Sequence, residues 1–454
     1  MNDEKDRSMD RRGLLKAGAA LGAGLVAVGG AAAKGREIGE LPEPVDAEPC
    51  DPVRIGYVGI GSMGSVHVKN LLNIEGAEIR ALCDIVPEKV KRAQKWVTET
   101  GFEKPTGYTR GPYDFKRMCQ EEDLDLVYTA TPWRWHVPVC VAAMEAGKHA
   151  ATEVAAATTL EGCWRLVETS EKTRRHCVMM ENCCYDREEL IILNMVRQGV
   201  LGEMLHAECG YMHDLRALIF QETKRGEWRL KHAVERNGNL YPTHGLGPIA
   251  DYMDINRGDR FEYLVSMSCK SRCLSLYAAR KYGPDSPQAN REYASGDVNT
   301  TLIHTANGCT ITIGFNNHAP RPYSRMVTVQ GTKGFVRKYP EPKIYLDGRT
   351  PGHQWEPLSK YEEQYEHPLW TKLADKGEGV GHGGMDYIED YRLIQALRLG
   401  SYPDSDVYDA AALSVVTPLS EESVANGSRP VEFPDFTRGG WKKDAPPGGE
   451  IGEV

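Results

Sequence analysis

The segment from Val53 to Asp84 constrains the fold of this chain more than any other. An apolar run rich in β-branched residues, VRIGYV, leads into the glycine pattern G-x-G-x-x-G at 59–64, and helix-forming residues follow. A second apolar run then ends at Asp84, 20 residues after the last glycine. A strand before the glycines, a helix after them and an acidic residue at this distance are what a dinucleotide-binding β-α-β unit requires.

Each residue of this motif has a physical role. Gly59 permits the tight turn, Gly61 lets the backbone approach a pyrophosphate, and Gly64 lets helix and strand pack closely. The N–H groups at the start of the helix would bind the anion. Asp84 would accept hydrogen bonds from a ribose 2′-hydroxyl and repel a 2′-phosphate, so the sequence predicts NAD rather than NADP.

Length and composition are ordinary for a soluble globular protein of two domains, with 454 residues, 41% hydrophobic and 26% charged. The net charge of −9 and the pI near 5.9 argue against nucleic acid or an anionic membrane surface as the main partner, since both need basic patches. The 12 cysteines are scattered without zinc-binding spacing. We therefore expect buried free thiols and no metal site.

The first 33 residues are predicted to be a twin-arginine signal peptide. Arg11 and Arg12 precede a small-residue apolar segment that ends in three alanines at 31–33, a site suited to signal peptidase. We expect the twin-arginine machinery to export the folded, nucleotide-loaded protein to the periplasm or beyond, and the mature form to have no membrane span. A retained N-terminal anchor is the alternative. Residues 34–52 are predicted to be a linker.

Alternating strands and helices predict an α/β Rossmann domain over residues 53–180. The strand at 124–130 leads into the loop T-P-W-R-W-H at 131–136. Ligands of open α/β sheets bind outside the carboxyl ends of the strands, so we expect this loop to border the cofactor. The next strand ends at Glu153, and a further strand leads into Asn182.

Residues 181–435 are predicted to form an α+β domain with a large, mostly antiparallel sheet. Period-two alternation predicts strands at 205–212, 263–268, 300–304, 309–315 and 326–331. Residues 339–376 are expected to be irregular. A glycine-rich loop at 379–384 contains His382, helices are predicted at 385–399 and 407–425, and residues 436–454 are expected to be a C-terminal tail.

The order of these elements resembles the Gfo/Idh/MocA oxidoreductases. Those dehydrogenases carry Glu-Lys-Pro after the corresponding strand, with the lysine acting near the site of hydride transfer. Here the residues are Glu153, Val154 and Ala155. The missing lysine argues against an ordinary dehydrogenase mechanism, whereas the cofactor motif is complete.

Further motifs occur in order along the chain: WRWHVP at 133–138, ATEV at 151–154, ENCCY at 181–185, WRLKH at 228–232, RNGNLYPTHGLGP at 236–248, NRGDRF at 256–261 and GHGG at 381–384. Together they resemble glycoside hydrolase family 109, the NAD-dependent α-N-acetylgalactosaminidase-type enzymes of that superfamily. The resemblance runs from about residue 53 to the C-terminal helices, and the twin-arginine leader is also similar.

The resemblance implies a set of site residues. The NAD-binding positions are Gly61, Ser62, Met63, Gly64, Asp84, Trp133, Arg134, Trp135, His136, Glu153, Val154 and Asn182. The substrate-binding positions are Tyr211, Arg229, Tyr241, Pro242, Thr243, His244 and Tyr323. His382 is similar to a mobile histidine proposed as a proton shuttle.

The implied reaction is hydrolysis of a terminal sugar, an α-linked N-acetylgalactosamine, with tightly bound NAD recycled in each turnover. Hydride leaves C3, a base removes the C2 proton, the C1 leaving group is eliminated, water adds and the hydride returns. The paired carboxylates of ordinary glycosidases are then unnecessary. We expect His244 and Tyr185 to act near the oxidised centre, and His382 to be the leaving-group acid.

Other readings of these features remain open. His244 could hold a structural turn and Tyr185 could be a core aromatic. The protein could be a NAD-dependent sugar or polyol dehydrogenase with a dissociable cofactor, or a non-catalytic NAD-bound carbohydrate-binding protein. The motifs leave the sugar, anomer and aglycone undetermined. Exposed sheet faces lead us to expect a homodimer.

Overall fold

The computed structural model describes residues 45, 48–222, 224–377, 381–442 and 451–452. The predicted signal peptide and most of the predicted linker lie outside the described residues. Every helix within them is too short or too polar to serve as a membrane span.

The first sheet contains six parallel strands in the order β3-β2-β1-β4-β5-β6. The strands are β1 (Val53–Val58), β2 (Ala77–Cys83), β3 (Thr106–Tyr108), β4 (Leu126–Thr129), β5 (His149–Glu153) and β6 (Cys177–Met180). The helices between them are α1 (Ser62–Leu71), α2 (Pro87–Glu99), α3 (Asp114–Glu121), α4 (His136–Glu145) and α5 (Leu160–Thr173). This order is the doubly wound Rossmann arrangement, which confirms the predicted fold of the first domain.

The second sheet contains nine strands in the order β14-β13-β12-β11-β7-β10-β9-β8-β15. The strands are β7 (Met204–Met212), β8 (Phe261–Ser268), β9 (Asn299–Thr305), β10 (Thr310–Asn316), β11 (Thr328–Gly331), β12 (Gly334–Arg337), β13 (Lys343–Leu346), β14 (Glu356–Pro357) and β15 (Val431–Glu432). Among these described strands, β7 and β10 pair in parallel and the other neighbours pair antiparallel. The predicted mostly antiparallel sheet is confirmed.

The helices of this part of the chain are α6 (Arg187–Arg197), α7 (Arg216–Ile219), α8 (Lys224–Glu235), α9 (Thr243–Tyr252), α10 (Cys273–Tyr282), α11 (Glu362–Tyr365), α12 (Pro368–Gly377), α13 (Met385–Leu399), α14 (Val407–Ser414) and α15 (Val416–Ala425). The expectation that 339–376 is irregular is wrong, because β13, β14, α11 and α12 lie there. The prediction of one continuous helix over 407–425 is also wrong. Pro418 has no N–H to donate to the Ser414 carbonyl, and the helix is divided into α14 and α15.

The last third of the chain returns to the Rossmann sheet. Leu393 and Leu397 of α13 are buried in the same apolar cluster as Val53 and Val68 of the first domain. Phe436 is buried with its ring 4.7 Å from that of Trp164 on α5. The predicted boundaries therefore separate the two sheets but not their cores, and the first residue of the predicted tail is buried.

Candidate active site

The glycine-rich loop follows β1 at the carboxyl edge of the parallel sheet. Gly59 has a φ of +88°, and a Cβ there would lie 3.0 Å from the Ala130 carbonyl oxygen. A Cβ on Gly64 would clash with the Gly59 carbonyl oxygen, whereas a Cβ on Gly61 would meet no atom within 4 Å. The turn and the close packing need glycine, and the space over Gly61 is open. A pyrophosphate cradle at the start of α1, where Ser62 and Met63 stand, has this form.

Asp84 lies at the same edge, directly after β2, and is 8% exposed. Its Oδ2 accepts the Ile60 N–H at 2.8 Å, and its Oδ1 accepts the Val86 N–H at 2.8 Å. Lys89 Nζ lies 3.6 Å from Oδ2. The carboxylate therefore fixes the glycine loop and places a negative charge where a 2′-phosphate would be repelled. These residues fit a dinucleotide with a free ribose 2′-hydroxyl.

Trp133 and His136 connect the loops that follow β4 and β5. Trp133 Nε1 donates to the Val154 carbonyl oxygen at 3.0 Å. His136 is buried, and its two ring nitrogens each lie 2.7 Å from a carbonyl oxygen, one of Thr131 and one of Ala155. Since both nitrogens are engaged inside the protein, the His136 imidazole is a bridge between loops. The predicted contact of His136 with NAD stays a prediction.

Glu153, at the end of β5, belongs to a buried charged network that connects three elements. His67 of α1 donates from Nε2 to Glu153 Oε1 at 3.1 Å, and its Nδ1 lies 2.9 Å from Asp390 Oδ2 on α13. Asp390 also accepts Asn70 Nδ2 at 2.9 Å. Burial alone would lower the pKa of His67, but the two carboxylates raise it well above its ordinary value. Carboxylates at both ring nitrogens favour the charged form of His67, which ties α1 to β5 and α13.

Asn182 follows β6 and is hydrogen-bonded to the end of the glycine-rich loop. Its Nδ2 donates to Asp386 Oδ1 at 2.6 Å, and His382 Nδ1 lies 2.8 Å from Asp386 Oδ2. Asp386 is fully buried, whereas half of the His382 side chain is exposed. The hydrogen bond with Asp386 raises the pKa of His382, against the opposing effect of burial. The predicted leaving-group acid is thus held by a carboxylate next to a predicted NAD position.

Glu181, one residue before Asn182, holds the second predicted catalytic histidine. His244 Nδ1 donates to Glu181 Oε1 at 2.7 Å, and Cys183 N–H donates to the same oxygen at 3.1 Å. Burial raises the pKa of Glu181, but His244 counteracts it, and the net pKa is below the ordinary value. Because Nδ1 of His244 is committed to a charged carboxylate, Nε2 is the nitrogen left for proton transfer.

Aromatic side chains form a wall beside His244. Tyr211, at the end of β7, stacks on Tyr241 with ring centroids 4.5 Å apart, and the two rings lie 5.1 and 4.8 Å from His244. Tyr323 lies 6.2 Å from Tyr211 and 5.1 Å from His213. The Tyr211 hydroxyl and His213 Nδ1 are 2.9 Å apart. Four predicted substrate positions therefore lie close together in the structure, and His213 lies beside them. The four are Tyr211, Tyr241, His244 and Tyr323.

The other predicted substrate positions lie next to this wall. Pro242 caps α9, and Thr243 is its first residue and is 1% exposed. The two residues therefore set the turn that carries His244. The Arg229 guanidinium lies 4.1 Å from the Trp228 ring centroid, and that ring is 4.8 Å from Trp133. Direct contact of Pro242, Thr243 and Arg229 with a sugar stays a prediction.

Tyr185 has contacts that do not fit its predicted catalytic role. Its hydroxyl is buried and donates to Asp404 Oδ2 at 3.0 Å, an oxygen that also accepts Arg392 Nε at 2.8 Å. Burial raises the pKa of the phenol well above its ordinary value. The hydroxyl is thus a hydrogen-bonded core group, which does not support the predicted role of Tyr185 at the oxidised centre.

Glu181, Cys183 and His244 place potential metal-binding atoms within 4.8 Å of one another, a grouping that the sequence spacing does not reveal. Glu181 and His244 are hydrogen-bonded to each other. The third member, Cys183, has its Sγ 3.1 Å from Arg325 Nη1. A guanidinium beside the sulfur disfavours a second cation there, so we assign no metal to this group.

Sequence reasoning missed Glu181, Asp386 and His67 as parts of the site. One signal was available for Asp386, because it lies four residues after His382, a spacing that brings side chains together in a helical turn. Glu181 stands directly before Asn182 in the ENCCY motif. His67 and Asp390 are 323 residues apart, and local patterns carry no signal for such a pair.

Family models match nearly the whole described chain. The model for "Glycosyl hydrolase 109, C-terminal domain" matches residues 185–443. The chain belongs to glycosyl hydrolase family 109. A second model, "Oxidoreductase family, NAD-binding Rossmann fold", matches residues 53–181. The family 109 domain therefore begins a few residues after the Rossmann match ends, between Glu181–Asn182 and the helix α6.

Named relatives agree with this family membership. A family 109 protein of Solibacter usitatus is 46% identical over 439 residues, which are 96% of this chain and 99% of the relative. An alpha-N-acetylgalactosaminidase of Bacteroides fragilis is 48% identical over 402 residues, 87% of this chain and 94% of the relative. This family 109 member is therefore a glycosidase with a Rossmann domain of the NAD-binding type.

Two solved structures with the same fold are a dehydrogenase and a dehydrogenase homologue. Levoglucosan dehydrogenase in complex with NADH and levoglucosan matches with a TM-score of 0.64 at 19% identity, covering 84% of this chain and 99% of that one. An inositol dehydrogenase homologue of Azotobacter vinelandii, in complex with NADH and myo-inositol, matches with a TM-score of 0.61 at 19% identity, covering 86% and 100%. At this identity the likeness shows the fold, and the predicted Gfo/Idh/MocA architecture is confirmed.

Proposed function

We propose that this family 109 glycosidase hydrolyses terminal α-linked N-acetylgalactosamine and keeps NAD bound through each turnover. The proposal rests on one observation: two neighbouring residues in the sequence, Glu181 and Asn182, take part in holding two different histidines. Glu181 holds His244, and Asn182 with Asp386 holds His382. The 48% identity to the Bacteroides fragilis enzyme supports the sugar.

Gly61, Ser62, Met63 and Asp84 would hold the dinucleotide, as their backbone geometry and open space fit it. When bound, NAD supplies the acceptor for the C3 hydride and later returns that hydride. In the remaining steps the C2 proton leaves, the C1–O bond breaks and water adds at C1. The proton transfers that accompany these steps fall to the side chains of this chain.

Two groups of side chains are suited to those proton transfers, one acting at C3 and C2 of the sugar and the other at C1. His244, through Nε2, and Tyr211, paired with His213, would take protons from the C3 hydroxyl and from C2. His382 would donate to the leaving oxygen at C1 and then take a proton from the incoming water. Glu181 and Asp386 are committed to histidines, so they do not supply the direct carboxylate pair of an ordinary glycosidase.

The test is to incubate the purified protein with p-nitrophenyl α-N-acetylgalactosaminide in deuterated water without added NAD. We expect nitrophenol release together with deuterium at C2 of the sugar. Release without C2 deuterium would contradict the oxidation and elimination route. Net NADH formation with added NAD and no bond cleavage would instead indicate a sugar dehydrogenase.

Matched histidine variants make this assay specific for the site. His244→Asn and His382→Asn should each lower the rate by about 10²-fold or more, the range of a positioned acid or base. His206→Asn is the control, because His206 lies on β7 and bonds Thr310 of the neighbouring strand at 2.8 Å. It should retain the parent rate.

We also propose that residues 1–33 direct export through the twin-arginine machinery to the periplasm or cell exterior. The paired Arg11 and Arg12 before a small-residue apolar segment support this. Changing both to lysine should leave full-length protein in the cytoplasm in a cell-fractionation experiment. Export of that variant at the parent level would contradict the proposal.

We further propose a homodimer formed through the second sheet. Tyr263 and Met267 of β8 are 37% and 64% exposed, and Leu302 of the neighbouring β9 is 53% exposed. A contiguous apolar face of this kind marks an interaction surface. Light scattering after gel filtration should give twice the chain mass, and Leu302→Glu should give a monomer. A monomeric parent protein would contradict the proposal.

A further inference from the structure

A buried carboxylate joins the glycine-rich loop to the predicted cofactor site, where Asn182 Nδ2 also lies 3.4 Å from His382 Nδ1. Asp386 stands in the first turn of α13 and is 0% exposed. Its Oδ2 lies 2.8 Å from His382 Nδ1, and its Oδ1 accepts Asn182 Nδ2 at 2.6 Å. Both oxygens therefore have a partner, and the two partners are a predicted acid and a predicted NAD-binding residue.

The loop backbone is shaped to bring His382 to this carboxylate. A Cβ on Gly381 would clash with Asp386 Oδ2 and would lie 2.7 Å from Val66 Cγ1 on α1. His382, Gly383 and Gly384 have φ values of +48°, +74° and +105°. A non-glycine residue in the left-handed region persists only where its surroundings hold it. The hydrogen bond to Asp386 is such a restraint on His382.

The groups that act electrostatically on His382 come from four elements. Asp386 of α13 and Glu153 of β5 raise its pKa, and His67 of α1 lowers it. His213, after β7, is itself affected by His382, whose charge lowers the pKa of His213. Asp386 makes the largest contribution to the raised pKa of His382, through its hydrogen bond. With Nδ1 held in this bond, Nε2 is the nitrogen left to donate a proton.

We infer that Asp386 is a positioning residue that holds His382 for protonation of the leaving group and connects this histidine to Asn182 at the cofactor site. The inference rests on the proposed function for the reaction that His382 serves. It assigns Asp386 no contact with the sugar. Its effect on the reaction passes through the orientation and the protonation state of His382.

Asp386→Asn tests the effect on catalysis. A good leaving group such as p-nitrophenolate needs little protonation, whereas an alkyl alcohol needs a general acid. We expect kcat/KM for an alkyl α-N-acetylgalactosaminide to fall at least about tenfold more than for the nitrophenyl substrate. The alkaline limb of the pH profile should move to lower pH, because the group that raises the pKa of His382 has been neutralised.

Asp409→Asn is the matched control. Asp409 is a largely buried carboxylate that pairs with Arg257 at 2.7 Å. Its loss should lower Tm without moving the alkaline limb or the ratio of alkyl to nitrophenyl rates. If a folded Asp386→Asn protein kept both the parent limb and the parent ratio, Asp386 would not position His382.

Titration of His382 by NMR decides the matter without activity. In the parent protein with labelled histidine, the resonance missing from His382→Asn should titrate above the pH of an unperturbed histidine, and Asp386→Asn should lower that midpoint. A parent midpoint below the ordinary value would overturn the inference, even if Asp386→Asn failed to fold. Absence of any glycosidase activity in the parent would refute the proposed function, whereas the titration would still test the link between Asp386 and His382.

Discussion

Gly61 and Gly64 of the cofactor loop allow a paired test of the NAD site. Gly61→Ala adds a methyl group where no atom lies within 4 Å. We expect the free energy of unfolding to change by less than about 0.5 kcal/mol, as for a substitution without contacts. The methyl group would fill the space needed by the pyrophosphate. A tenfold or greater loss of NAD affinity, about 1.4 kcal/mol, should follow.

Gly64→Ala should behave in the opposite way. Its methyl group would clash with the Gly59 carbonyl oxygen and lie 3.2 Å from the Tyr57 ring, so backbone would have to move. Overpacking of this kind costs about 1–3 kcal/mol. The corresponding fall in Tm is roughly 3–9 °C for a domain of moderate size.

The assay is differential scanning fluorimetry with and without NAD, combined with the NAD content released from purified protein by acid. The expected result is a Gly61→Ala protein with parent Tm and little NAD, beside a Gly64→Ala protein with a lowered Tm. A Gly61→Ala protein that retained the parent NAD content and affinity would refute the placement of the pyrophosphate over Gly61.

Further predictions concern charged groups in the core. Glu181→Gln removes the charge from the hydrogen bond between Glu181 and His244, and a charge-assisted bond of this kind is worth about 1.5–3 kcal/mol. We therefore expect kcat to fall about 10–100-fold with little change in KM. An unchanged kcat would contradict this role. Arg325→Met removes the guanidinium that bonds buried Glu189 at 2.7 Å and leaves Lys338 as the cation beside it. Denaturant unfolding should show a loss of about 1–3 kcal/mol, and an unchanged stability would be inconsistent with that pairing. Burial raises the pKa of Asp251 from 3.8 to about 7, so the stability that its protonated form contributes is present below pH 4 and is lost as the pH rises towards 7. Asp251→Asn should therefore flatten the fall of Tm between pH 4 and 7, and parallel Tm curves would show that the group does not titrate as described.

Much of the fold was predictable because local sequence patterns determine the type and the ends of many of its strands and helices. β1 is an almost fully buried strand, and its continuous apolar run is what a central parallel strand requires. The helix predicted at 385–399 was found with the same bounds, because Gly384 precedes it and Gly400, with a φ of +63°, ends it in the left-handed conformation. The predicted helix at 407–425 failed where Pro418 removed one backbone donor.

The site was less predictable because its partners are distant in sequence. The motif ENCCY carries both Glu181, which bonds His244 63 residues away, and Tyr185, which bonds Asp404 219 residues away. Nothing in the motif itself distinguishes the two outcomes. A phenol next to predicted NAD residues was as good a candidate as a carboxylate until the fold placed the partners.

The position of α13 late in the chain also affects when the first domain can complete its packing during synthesis. Asp390 on this helix accepts Asn70 of the first helix across 320 residues, and the same helix buries its leucines against the Rossmann sheet. Domains generally fold as units while the chain emerges from the ribosome. Here α13 is synthesised more than 300 residues after α1. At about 5–20 residues per second, roughly 15–65 s separate the two helices, and the apolar face of the nascent nucleotide domain lacks this cover for that time.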